Sequence, residues 1–134
     1  MNDPVKLTPE DIAQYREQFS QNNQEEALYA LDVIEEKNGN LIIAASELAI
    51  EENIVVSKSI SNILDKLAKK SRNIVCDEEF IDKVMDGLLS SAVASLCATG
   101  QIPEAIAALT VMYLSKKYVD KKDIQKWCNS DTEG

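Results

Sequence analysis

Apolar residues recur every three or four positions along almost the whole chain, and this spacing limits the possible folds more than any other feature. Residues at this separation lie on the same face of an α-helix, so each recurrence predicts a helix with one buried side. Ile54, Val55 and Val56 favour extended backbone, but no partner strand is found elsewhere, and we expect a connector there. With 134 residues, the chain has the length of one domain. The sequence therefore predicts an all-α fold, with about seven helices in one compact domain over residues 1–134.

Two of the predicted helices have recognisable start signals. Thr8 is the expected N-cap of the first helix, with Pro9 in the first helical position and Asp11 three residues after the cap. Asn23 and Glu26 have the spacing of a capping box and predict the start of the second helix. Because most predicted helices are short and the turns are tight, we expect an orthogonal bundle rather than a parallel one.

Two later segments are candidates for the interior of the bundle. A wide apolar stripe within residues 77–100 predicts one long helix, which we expect to be central. Residues 105–114 are apolar almost all round, which indicates burial on several sides or a self-association face. Residues 1–7 and 129–134 are predicted to be loose tails.

The chain contains no histidine. Its absence excludes His-ligated zinc, a Ser-His-Asp triad and a Cys-His pair within this chain. The sequence also lacks the glycine-rich phosphate-binding motifs. Adjacent glutamates occur four times, but neighbouring residues on a helix point in different directions and do not converge. We therefore expect no catalytic residue, no bound metal and no cofactor, and a protein that is not an enzyme.

The three cysteines, Cys76, Cys97 and Cys128, are widely separated, and none belongs to a C-x-x-C motif. An odd number of cysteines in a chain of this size predicts three free thiols in a reducing compartment. No run of 18 apolar residues and no secretory signal is found, so the sequence predicts no membrane span and a cytoplasmic location.

The net charge of −9 is unevenly distributed. Residues 1–55 contain 12 acidic and 3 basic residues, whereas residues 56–134 contain 11 of each. Such asymmetry steers a charged partner or a second copy of the chain, and solvated helix faces are the alternative interpretation. The sequence thus predicts a non-enzymatic helical adaptor that binds a protein partner or itself. The candidate contact residues are Glu25, Glu35, Glu36 and Glu47 on the acidic side and Lys66, Lys69, Lys70, Lys121 and Lys122 on the basic side.

Residues 39–50 carry the motif GNLIIAASELAI. It resembles the first helix and turn of the Fis-type helix-turn-helix, GNxxxAAxxLGI, with Ala49 in place of the turn glycine. The resemblance covers residues 27–70 and implies a DNA-binding module whose recognition helix spans residues 57–70. The residues that the resemblance places near DNA are Lys58, Lys66, Lys69 and Lys70.

The net charge of residues 28–72 favours a protein partner over DNA. Residues 28–72 contain 7 acidic and 6 basic residues, whereas DNA-binding modules are normally basic because they neutralise phosphates. The same motif also suits a ubiquitin-associated-type three-helix module or any close-packed helix pair. A divergent helix-turn-helix regulator is therefore the alternative function, and a protein partner is the primary one. The whole chain also resembles small helical bacterial proteins, cyanobacterial ones in particular.

Overall fold

The computed structural model describes residues 6–51, 63–98, 100, 102–118 and 120–130. Within these ranges the regular secondary structure is entirely helical, and the only β-type pairing is an isolated bridge between Lys6 and Asn40. The prediction of an all-α fold is therefore confirmed.

The described residues form nine helices rather than about seven. They are α1 (Pro9–Gln21), α2 (Glu25–Glu36), α3 (Leu41–Glu51), α4 (Ile63–Lys70), α5 (Arg72–Val75), α6 (Glu78–Met85), α7 (Leu89–Cys97), α8 (Glu104–Lys117) and α9 (Lys121–Ser130). The extra elements are the one-turn helix α5 and a second helix within the segment predicted as one. Two predicted features lie outside the described residues. They are the connector at residues 54–56 and the helix start at residue 57.

The start of α1 is the one that the sequence predicts. The Thr8 hydroxyl accepts a hydrogen bond from the Asp11 N–H at 3.1 Å, and the Asp11 carboxylate accepts one from the Thr8 N–H at 3.0 Å. This capping box satisfies two backbone donors that a helix start otherwise leaves without partners. The helix then buries Ile12, Tyr15 and Phe19.

The predicted capping box at α2 is wrong. Asn23 has a positive φ of 56°, a left-handed conformation that asparagine tolerates, and it belongs to the turn that follows α1. Gln24 is consequently the N-cap, and it makes no side-chain capping bond. Its side-chain amide instead donates to the Ser90 carbonyl oxygen at 3.0 Å, which ties the start of α2 to α7.

The turn between α2 and α3 requires a glycine. Gly39 has a φ of +85°, and a Cβ at this position would collide with the carbonyl oxygen of Leu7. The Leu7 N–H in turn donates to the Gly39 carbonyl oxygen at 2.8 Å, and only 4% of Leu7 is exposed. The predicted loose tail over residues 1–7 is therefore wrong at Leu7, while residues 1–5 lie outside the described part.

The single long helix predicted within residues 77–100 is interrupted after Met85. Gly87 adopts a φ of +78° between α6 and α7, which ends the first helix. Gln18 holds this turn, because its amide donates to the Gly87 carbonyl oxygen at 2.9 Å and accepts from the Ser90 N–H at 3.2 Å. The apolar stripe continues through the turn, which is why the periodicity alone did not reveal it.

The central helix of the bundle is α8, not the 77–100 segment. All ten residues from 105 to 114 are buried, and α8 packs against α2, α3, α4, α6 and α7. The buried Thr110 hydroxyl donates to the Ile106 carbonyl oxygen within the same helix at 3.0 Å. The all-round apolar sequence of α8 therefore reflects burial on several sides within one chain.

The prediction of three free thiols is wrong, because Cys76 and Cys128 form a disulfide and only Cys97 is free. The bond joins the residue after α5 to α9, which packs against α6. Two cysteines 52 residues apart meet only after the chain has folded back, so their sequence spacing carries no sign of the bond. The predicted tail over residues 129–134 is also shorter than expected, because α9 continues to Ser130.

Candidate protein-interaction surface

The outer side of α2 is a polar stripe one helix long. Glu25, Tyr29, Asp32 and Glu36 are spaced by four, three and four residues and are all exposed. This spacing places them on one face of the helix, opposite the buried residues of α2. The stripe follows from the same periodicity that buries the other side.

The outer side of α3 combines apolar and acidic residues. Ile43, Glu47 and Ile50 are spaced by four and three residues and share one face of the helix. The exposed fraction is 51% for Ile43 and 73% for Ile50. Among the described residues only four large hydrophobic side chains are exposed, and three of them, including Tyr29, lie on the α2–α3 hairpin. An exposed apolar group concentrated on one hairpin is typical of an interaction surface.

We define the α2–α3 face as Tyr29, Ile43 and Ile50 together with Glu36, Glu47 and Glu51. Two side-chain contacts cross between its helices. The Tyr29 hydroxyl donates to the Glu51 carboxylate, whose oxygens lie 3.0 and 3.2 Å away. Lys37, at the turn, forms an ion pair with Glu47 at 3.0 Å. These contacts hold two of the three carboxylates in place.

The electrostatic potential of the face is negative. The pKa of the Tyr29 hydroxyl is raised by its hydrogen bond to Glu51 and by the charges of Glu51, Glu47 and Glu36. The pKa of the Lys37 ammonium is raised by its hydrogen bond to Glu47 and by the charges of Glu47 and Glu36. Among the described residues, Lys37 is the one cation that pairs with these carboxylates, so the surface favours cationic groups of a partner.

The predicted acidic residues divide between two surfaces. Glu36 and Glu47 belong to the α2–α3 face, and Glu25 lies exposed in the first turn of α2. Glu35 lies on the edge of α2 that faces α1, where it binds Arg16 at 3.1 Å; Asp32, at the same edge of the outer stripe, binds this guanidinium at 2.8 Å. Glu35 therefore ties α2 to α1 rather than contributing to the α2–α3 face.

The predicted basic residues Lys121 and Lys122 lie away from the acidic ones. Lys121 pairs with Asp82 at 2.8 Å and with Glu78 at 3.3 Å, both on α6. Lys122 is exposed near the start of α9. Because α9 packs against α6, the structure separates these lysines from the hairpin and does not form one bipolar site.

The lysines that the helix-turn-helix resemblance singles out are only partly described. Lys69 and Lys70 are exposed in the last turn of α4, whose other side buries Leu64 and Leu67 against the bundle. Lys58, the side chain of Lys66 and the turn between α3 and α4 lie outside the described residues.

A groove of about 610 Å³ between α1 and α7 is the other notable surface feature. Its polar lining consists of neutral amides and hydroxyls, among them Gln18, Asn22 and Ser90, which bond to one another or to nearby backbone. These bonds join the end of α1 to the start of α7. Within the described part of the chain, no three His, Cys, Asp or Glu side chains group as metal ligands would.

Ile43 and Ile50, the apolar members of the α2–α3 face on α3, were not predicted as contact residues. The helical spacing of Leu41, Ala44 and Leu48 places these three on one stripe of α3, and the structure buries them. Ile43 and Ile50 fall outside that stripe, and this displacement is the signal that could have identified them. The Tyr29–Glu51 hydrogen bond joins residues 22 positions apart and has no local sequence signal.

No protein-family model matches this chain, and neither does any curated protein or solved structure. None of the helices in the described ranges is long and apolar enough to cross a membrane.

Proposed function

We propose that the protein is a non-enzymatic helical adaptor that binds a partner protein through its α2–α3 face. The observation that supports this function is the concentration of Tyr29, Ile43 and Ile50 on one hairpin, bordered by the carboxylates of that face. Apolar side chains contribute most of the affinity of a protein interface, and charges at its border select the partner.

The chemistry of the face indicates a basic amphipathic helix as the partner. Ile43 and Ile50 are seven residues apart, so two helical turns, or about 10.5 Å, separate them along α3. A partner helix with apolar residues at i, i+3, i+4 and i+7 presents anchors at a matching distance. Lysine or arginine residues beside those anchors would pair with Glu36, Glu47 and Glu51.

Self-association through this face is the less favoured form of the proposal. Two copies would bring the same carboxylates together, and like charges across an interface oppose binding. Sedimentation velocity at low and moderate salt measures this directly. We expect a monomer under both conditions, and a dimer that Ile50→Asp dissolves would replace the partner-helix proposal.

Three synthetic peptides test the proposed partner class. The first is a basic amphipathic helix, the second has the same composition in scrambled order, and the third carries glutamate in place of its basic residues. We expect binding of the first alone, measured by fluorescence anisotropy, and weaker binding as added salt screens the charges. Equal binding of the scrambled peptide would show that only net charge is recognised.

Matched variants locate the binding surface. Ile50→Asp should weaken binding of the basic peptide about tenfold or more, whereas Leu88→Asp, at the other exposed large apolar residue, should not change it. Glu36→Lys should weaken binding, whereas Glu17→Lys, at an exposed site on α1, should have a smaller effect. Similar losses for both members of each pair would contradict the assignment to the α2–α3 face.

A divergent helix-turn-helix regulator is the second candidate function. It is supported by the exposure of Lys69 and Lys70 at the end of α4, after two helices in the expected order. Binding to a random DNA duplex pool at low and near-physiological salt tests it. Binding that selects sequence, survives the higher salt and is lost on changing both lysines to alanine would favour this function over the adaptor.

Two further predictions belong to this proposal. We expect the adaptor to be located in the cytoplasm, and we expect its helices to pack as an orthogonal bundle. Fractionation of cells that express the protein tests the first, and an experimentally determined set of interhelix crossing angles tests the second.

A further inference from the structure

The C-terminal helix α9 has a limited interface with the rest of the molecule. It packs against α6, and Ile124 is its one fully buried hydrophobic residue within the described part of the chain. Trp127 is partly buried and packs against the core, and the other described residues of α9 are partly or fully exposed. A peripheral helix of ten residues with so little buried surface has low stability by itself.

The two ends of α9 are held by different interactions. At its start, Lys121 pairs with Glu78 and Asp82, whose side chains are 75% and 53% exposed. Ion pairs this exposed contribute little to stability. At its other end, Cys128 is bonded covalently to Cys76, and Arg72 lies 6.0 Å from the ring centroid of Trp127 and donates to the Cys128 carbonyl oxygen. The covalent bond is therefore the strongest connection between α9 and the bundle.

We infer that the Cys76–Cys128 disulfide is a redox-sensitive tether, and that its reduction by a dithiol releases α9 from α6 while the remaining helices stay folded. Both cysteines are partly exposed, so a reductant can reach them. A thiolate of the dithiol attacks one sulfur and breaks the S–S bond, forming a mixed disulfide. Its second thiol then closes the reductant's own disulfide. Two electrons and two protons pass to Cys76 and Cys128, which become free thiols.

The third cysteine does not compete in this exchange. Cys97 lies at the end of α7 and is only partly exposed. Burial, together with the charges of Glu104 and Glu26, raises the pKa of its thiol to about 11. Because the thiolate is the reactive form, Cys97 stays protonated and unreactive near neutral pH. The pair Cys76 and Cys128 therefore remains the defined redox couple of the chain.

The experiment uses the full chain in oxidised form and after reduction with dithiothreitol. Thiols counted after denaturation should rise from one to three. Amide hydrogen exchange of residues 121–130 should speed up about tenfold or more on reduction, while α8 remains protected. Trp127 is the single tryptophan, and its emission maximum should shift to longer wavelength with easier acrylamide quenching. Emission intensity is unsuitable, because the adjacent disulfide itself quenches tryptophan.

Variants separate release of the helix from other effects of the reductant. Without reductant, Cys76→Ser and Cys128→Ser should each show the fast amide hydrogen exchange in residues 121–130 that the parent protein shows only after reduction. In Cys97→Ser, reduction should speed up this exchange as much as in the parent protein. Three thiols in the protein treated with oxidant would overturn the inference, as would unchanged exchange in residues 121–130 after complete reduction. Complete loss of protection in α8 together with α9 would also overturn it, because reduction would then unfold the bundle rather than release one helix.

Discussion

Helices α8 and α9 follow one another in the chain and are stabilised in different ways. All residues from 105 to 114 are buried in α8, whereas α9 buries Ile124 fully and Trp127 only in part. Apolar packing holds α8 on all sides, so only conditions that unfold the whole protein displace it. A disulfide, ion pairs and a cation–aromatic contact hold α9, and reductants or salt weaken the first two. The difference shows that the interior fixes the fold, while the periphery can respond to its surroundings.

The largest effect is expected from a cavity in α8. Ile106 is fully buried, so Ile106→Ala should lower the free energy of unfolding by about 2–5 kcal/mol. The loss should be the same with and without reductant, measured by urea denaturation and far-UV circular dichroism. Lys122→Ala, at an exposed site on α9, is the control and should change stability by less than about 0.5 kcal/mol. An equal loss in the two variants would remove the contrast between the helices.

Removal of the disulfide should have the next largest effect. The bond closes a loop across 52 residues, and Cys76→Ser should lower the free energy of unfolding by about 2–4 kcal/mol. Cys128→Ser and the double variant should lose the same amount, because either change breaks one bond. A double variant with twice the loss of either single variant would show that the two cysteines act independently. Denaturant titrations of the three proteins decide between these results.

A cavity in α9 tests whether its docking depends on the tether. In the oxidised protein, Ile124→Ala should lower the free energy of unfolding by about 2 kcal/mol. In the reduced protein the cost should fall below about 0.5 kcal/mol, because α9 has already left its site before the bundle unfolds. Ile106→Ala is the matched comparison and should not show this dependence. An Ile124→Ala cost that is the same in both redox states would place α9 with the core.

A smaller, pH-dependent effect is expected at the C-terminal end of α8. Lys116 pairs with Asp11 of α1 at 2.9 Å, and both side chains are about three quarters buried or more. Burial raises the pKa of Asp11, but the hydrogen bond from Lys116 and the bonds from Thr8 outweigh it, so the pKa lies below the ordinary value of 3.8.

Because the folded-state pKa is the lower one, the pair stabilises the protein above about pH 4, and this contribution is lost as the pH falls below that value. Asp11→Asn should therefore cost about 1 kcal/mol at pH 7 and progressively less as the pH falls below about 4. Unfolding curves of both proteins across this pH range measure the difference. A constant difference at all pH values would assign the effect to the capping box rather than to the charge.

Features with local causes could be predicted from the sequence. The cap of α1 depends on Thr8 and Asp11, three residues apart, and the burial of α8 follows from its apolar composition. The break at Gly87 could not be predicted, because its position is fixed by Gln18 on another helix. Two of the six residues of the α2–α3 face, Glu36 and Glu47, were identified from charge, whereas Ile43 and Ile50 become recognisable only when the buried side of α3 is known.

The position of α8 in the chain also determines when the molecule can fold during synthesis. The helices that α8 packs against, α2, α3, α4, α6 and α7, all precede it. A nascent chain that ends before residue 104 therefore presents the apolar sides of these helices without their common partner. Such intermediates aggregate readily, and contacts between distant residues form late. We therefore expect the bundle to close in a single late step of synthesis rather than helix by helix, and the apolar sides exposed before that step are of the kind that chaperones bind.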